Sequence, residues 1–69
     1  MITLGILTIS TSASKGDRID SSGEIIKEVF GPPLFRVENY EVVPDGIDVI
    51  ERKLLYWADR LKLNLVVTT

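Results

Sequence analysis

No cysteine and no histidine occur in the 69 residues. Their absence removes disulfides, thiolate nucleophiles, the usual zinc sites and any imidazole base. Chemistry here must run on carboxylates, hydroxyls, backbone amides, lysines or a bound cation. Positive charge is not in excess either: 8 Lys and Arg stand against 10 Asp and Glu, for a net charge of −2. No basic stripe is visible, which argues against a nucleic-acid surface. No apolar run approaches the ~20 residues of a membrane span. The opening Met1–Ile9 segment is apolar but short, and Thr3, Gly5 and Thr8 interrupt it. It has neither a basic flank nor a cleavage pattern, so no signal peptide is expected. These absences predict a cytoplasmic protein that binds neither membrane nor nucleic acid.

What is present is ordinary globular composition, 45% hydrophobic and 26% charged. The length is that of one domain or less, and a chain this short buries only about 60% of its unfolded surface. Ile2 to Ile9 reads as a strand without alternation, as expected when both faces are covered in a parallel sheet. Ser10 to Ser22 reads as a long loop. Ser21 and Glu24 have capping-box spacing, and Ile25, Ile26, Val29 and Phe30 predict the apolar face of a helix. Gly31-Pro32-Pro33 should stop it, with Gly31 as a left-handed cap. Leu34 to Val43 predicts a second strand whose alternation switches between Phe35/Val37 and Tyr40/Val42, the mark of a bulge or an edge position. Pro44-Asp45-Gly46 is a turn, with Asp45 placed to cap the next helix. In that helix Ile47, Ile50, Leu54, Ala58 and Leu61 share a face, with Leu55 and Trp57 at its margins. Leu63 to Thr69 predicts a third strand.

Strand, helix, strand, helix, strand with short connections predicts an α/β fold: a three-layer open parallel sheet in the order 2-1-3, with helices on opposite faces. Ligands of such sheets bind outside the carboxyl ends of the strands. Those ends are Ser10-Thr11-Ser12, Pro44-Asp45-Gly46 and Thr68-Thr69, and Ser21-Ser22-Gly23 opens a helix near the same edge. Free N–H groups at a helix start suit a phosphate. Taken singly, each segment has a plainer reading. Ser10 to Ser14 is a solvated loop, Ser21 and Asp45 are helix caps, Asp20 is a turn residue, Thr68 and Thr69 are strand residues, and Trp57 is core.

In order along the chain, Leu7-Thr8-Ile9-Ser10-Thr11-Ser12, then Gly16, Asp20-Ser21-Ser22-Gly23, Val42-Val43-Pro44-Asp45 and Leu65-Val66-Val67-Thr68-Thr69 resemble the molybdopterin-binding domain of molybdenum cofactor biosynthesis proteins of the MogA/MoaB type. The Asp-x-Ser-Gly and Val-Pro-Asp elements are the discriminating ones. Thr11 and Ser12 depart from the family, where many members have Asp and then Arg or Thr.

The resemblance implies molybdopterin binding, with ATP- and Mg²⁺-dependent adenylylation by the complete domain. Asp45 matches the family's first functional aspartate, a candidate for catalysis and for the metal. Ser10, Thr11, Ser12, Asp20, Ser22, Gly23, Thr68 and Thr69 are the candidates for holding cofactor and substrate. The family's Gly-Gly-Thr-Gly loop and second aspartate would follow Thr69. On this reading residues 1–69 form the N-terminal part of one such domain and are expected to be inactive alone. Full-length relatives are commonly trimers, so a homo-oligomer is expected of a complete domain. Two other readings remain: a pterin-binding or scaffold module without catalysis, and the nucleotide-hydrolase-related domain of CinA-type proteins. The latter more often has Gly-Asp-Glu after the first strand, where this chain has Ser-Thr-Ser.

Overall fold

The computed structural model describes residues 1–69. It contains β1 (Ile2–Ile9), α1 (Thr11–Ser14), α2 (Ser21–Val29), β2 (Phe35–Val43), α3 (Ile47–Asp59) and β3 (Leu65–Thr68). The strands form one parallel sheet in the order β2-β1-β3, as expected. β1 is central, which is why its sequence shows no alternation: Leu4, Ile6 and Leu7 are all fully buried although they point to opposite faces. No helix is long and apolar enough to cross a membrane.

Gly5, Leu7 and Ile9 face α3. Trp57, Leu7 and Val43 make the core on this side, flanked by Ile9, Val49, Ile50, Leu54, Leu63 and Val66. Trp57 therefore sits at the centre of the packed face, not at its margin as the apolar spacing predicts. Ile47 is 80% exposed and Ala58 is exposed, so the buried stripe is rotated from the expected one. The cause lies in the sheet. Gly5 offers no side chain, and a Cβ there would come within 2.7 Å of Trp57 Cε3 and of Leu63 Cδ1. The indole occupies the space that Gly5 leaves.

Leu4, Ile6 and Thr8 face α2. Of the four apolar residues expected to bury there, Ile26 and Phe30 are half-buried, while Ile25 and Val29 are 59% and 68% exposed. The contact ridge is Gly23, Ile26 and Phe30, spaced three and four apart, and a glycine carries no hydrophobic signal. Phe30 meets Phe35 of β2 edge-to-face at 5.2 Å. Gly31 does not take the left-handed conformation. The helix ends because Pro32 and Pro33 cannot supply amide donors.

The switch in β2 is a bulge. Leu4 pairs with Val37 but Gly5 pairs with Asn39, leaving Glu38 without a partner. One extra residue reverses the parity. Phe35 and Val37 before it and Tyr40 and Val42 after it therefore all face α2. β3 begins at Leu65, two residues later than expected, because Asn64 is engaged with Thr3. Its Oδ1 accepts from the Thr3 amide at 2.9 Å and the Thr3 hydroxyl at 3.0 Å, and its amide donates back to Thr3 Oγ1 at 3.0 Å.

Candidate functional site

The carboxyl ends of the strands do converge. Ile9 donates to the Thr69 carbonyl at 2.8 Å and Ser10 to the Val43 carbonyl at 2.8 Å, so Ser10 lies between the ends of β2 and β3. Beyond it the chain turns into α1, four residues that break the expected loop. Ser10 caps this helix by accepting from the Ala13 amide at 3.2 Å. The Ser12 hydroxyl lies 3.4 Å from that of Ser10.

Between α1, the start of α2 and the end of β3 lies an open cavity of about 310 Å³. Its walls include Thr8, Ser10, Arg18, Asp20, Ser21, Ser22 and Thr69, with Ala13 and Ile19 supplying apolar surface. Of the candidate residues, Ser10, Asp20, Ser22 and Thr69 are brought together here. Gly23 is buried behind the wall, and Thr11, Ser12, Thr68 and Asp45 do not line it. Arg18 does, and no motif pointed to it. The available signal was weak: it is the one cation between Lys15 and Lys27, in a stretch of Ser, Gly and Asp.

Asp20, not Ser21, is the N-cap of α2, so the Ser21/Glu24 capping box does not form. Asp20 Oδ1 accepts from the Gly23 amide at 3.0 Å. Its Oδ2 accepts from the Thr8 hydroxyl at 2.7 Å and from the Tyr40 hydroxyl. Burial pushes the Asp20 carboxyl up, but the hydrogen bonds from Tyr40, Thr8 and Gly23 outweigh it and hold the group below its usual 3.8. Burial, and then the bond to Asp20, push the Tyr40 phenol from 10.0 up to about 12. The two shifts act on stability at opposite ends of the pH scale. Asp20 favours the folded chain above about pH 3.8, and this is lost as pH falls through its lowered value. Tyr40 favours it fully below pH 10, and this is lost as pH rises towards 12. We expect the thermal midpoint of the wild type to drop between pH 10 and 12 more steeply than that of Tyr40→Phe. Parallel melting curves of the two proteins across that range would refute the coupling.

Asp45 is placed differently. It is exposed, Gly46 is the N-cap of α3, and no side chain caps that helix. The expected capping role is therefore absent. Only the Asp45 amide is engaged, donating to Thr11 Oγ1 at 3.1 Å. The departure from the family at Thr11 thus has a local role: it ties α1 to the turn carrying Asp45.

The family described as "probable molybdopterin binding domain" matches residues 5–69. The chain belongs to this family. As a molybdopterin-binding domain sequence it is similar to a molybdopterin adenylyltransferase of Helicobacter pylori, 43% identical over 70 residues, 99% of this chain and 40% of that protein. It is also 35% identical to the molybdenum cofactor synthesis protein cinnamon of Drosophila melanogaster, over 99% of this chain and 12% of that protein. Among solved structures it resembles the molybdopterin biosynthesis enzyme MoaB of Thermus thermophilus, with a TM-score of 0.92 and 41% identity over 99% of this chain and 43% of that one. The molybdopterin-binding domain sequence thus spans less than half the length of each of these relatives. Their names place them in molybdenum cofactor biosynthesis.

Proposed function

We propose that this chain supplies the strand-end and helix-start wall of a molybdopterin-binding site, in a domain that adenylylates molybdopterin with ATP. The observation that carries the reading is the cavity itself, lined by Ser10, Arg18, Ser21 and Ser22 at the start of a nine-residue helix. Hydroxyl and guanidinium donors with a helix N-terminus make a phosphate-binding surface, and Ala13 and Ile19 offer apolar surface to a ring. The name of the Helicobacter pylori relative supports the reaction type.

Asp45 fits a role toward Mg²⁺. Its carboxylate is exposed and makes no side-chain hydrogen bond. Magnesium keeps several waters and is held through one or two carboxylates plus substrate phosphates, so one free carboxylate is a suitable donor. Asp20 fits poorly, because both of its oxygens accept internal bonds. Bound with ATP, the metal supplies charge neutralisation at the phosphates. The protein's part is then positioning: Arg18 and the serines hold the pterin phosphate, while Thr11 holds the Asp45 turn.

The test is titration of molybdopterin into the purified protein that carries this chain, as wild type and as Arg18→Glu. Removing a hydrogen-bonding charge and inserting an opposing one should weaken binding by ~10-fold or more. Unchanged affinity in Arg18→Glu, with a normal melting curve, would remove the cavity from the binding site.

A further inference from the structure

Arg18 and Asp20 are oppositely charged, two residues apart, and line the same cavity. They are not paired: the ion pairs are Arg36–Glu38 and Lys53–Glu41. The Asp20 carboxylate is instead turned onto the sheet. Its Oδ2 accepts from Thr8 of the central strand and from Tyr40 of the edge strand, and its Oδ1 caps the Gly23 amide. Tyr40 does not line the cavity. Its reach to Asp20 depends on Gly23, because a Cβ there would overlap both the Tyr40 hydroxyl and Asp20 Oδ2. Lys27, 5.5 Å over the Tyr40 ring, packs on the same side chain. Between the two pinned residues, Asp20 and Gly23, lie Ser21 and Ser22 of the cavity wall.

We propose that Tyr40 is a positioning residue for the cavity: by holding the Asp20 carboxylate on the sheet it leaves the Arg18 guanidinium free for an anionic ligand. The inference rests on the reading of the cavity as a phosphate-binding site. Without the Tyr40 hydroxyl, Oδ2 keeps only the Thr8 donor. The carboxylate can then turn toward Arg18 and compete with the ligand for it.

The experiment compares wild type, Tyr40→Phe and the double variant Tyr40→Phe/Asp20→Asn in the full protein, by direct titration with molybdopterin and by steady-state kinetics. Phe keeps the ring under Lys27, and Asn retains an oxygen for the Gly23 amide. Tyr40→Phe should raise the dissociation constant and KM by about tenfold, the scale of one hydrogen bond to a charged group, with kcat little changed. The double variant should recover most of that loss, because the competing charge is gone. A merely structural Tyr40 would give no such rescue, and a double variant as weak as the single one overturns the proposal. Wild-type affinity in Tyr40→Phe overturns it alone, whereas failure of the wild type to bind molybdopterin overturns the site reading and this proposal together.

Discussion

Replacing Asp45 by Asn should lower turnover of the complete domain by ~10² or more, the scale expected of a positioned catalytic group, and leave the melting temperature almost unmoved. The structure sharpens this expectation. A capping aspartate would tolerate Asn, which caps about as well as Asp, but not Ala. Here the side chain caps nothing, and the turn is held by the Asp45 amide on Thr11. Asp45→Ala should therefore be as thermally silent as Asp45→Asn. The backbone bond can be removed separately, with Thr11→Val. A drop of several degrees in Asp45→Ala would restore the capping role, and near wild-type turnover in Asp45→Asn would end the catalytic assignment.

The largest effect on stability is expected at Gly5. A methyl group there has to share space with the indole of Trp57 and with Leu63 Cδ1, each 2.7 Å from the position it would take. Trp57 is 1% exposed and lies in the core with Leu7 and Val43. It has little freedom to retreat, and interiors are packed too densely to absorb the shift. Gly5→Ala should cost about 3 kcal/mol, the upper part of the range for overpacked cores. In a domain of this size that lowers the melting temperature on the order of 15 °C. Trp57→Phe alone should also destabilise, by leaving a cavity. The two changes together should be less harmful than their sum, because the smaller ring vacates the space the methyl group needs. Strict additivity in a double-mutant cycle would show that Gly5 and Trp57 do not compete for one volume.

The order and direction of the strands were legible because burial on both faces leaves a plain mark: Ile2 to Ile9 has no alternation, and connections of this length allow few topologies. The bulge was legible as well, in the parity change between Val37 and Tyr40. Glycine hid the helix faces. Gly5 makes room for Trp57 and Gly23 lets α2 approach Tyr40, yet an apolar pattern counts neither as a contact. The rule of strand ends located the cavity, and Ser10, Asp20, Ser22 and Thr69 fall on it. Arg18 did not stand out because a lone cation in a polar loop has no periodic partner. The division of labour between the two aspartates was equally hidden. Spacing permits a cap at either position, and only the tertiary donors Thr8 and Tyr40 show that Asp20 is engaged while Asp45 is free.

Glu38, the unpaired residue of β2, acts as a phase element for everything downstream of it. Tyr40 reaches Asp20 on one side of the sheet, and on the other side Glu41 meets Lys53 of α3 at 2.9 Å and Val43 joins Leu7 and Trp57. All three placements depend on Glu38 being bulged out of the ladder rather than paired. Were Glu38 drawn into the ladder opposite Gly5, the edge strand could still pair with β1, but each of these side chains would emerge on the opposite face. Tyr40 would be presented to the tryptophan core, while Glu41 and Val43 would be turned toward α2. A one-residue slip in pairing at this exposed edge would thus dismantle the core and the support of Asp20 in the same step, whereas deletion of Glu38 itself would leave every downstream pairing in place.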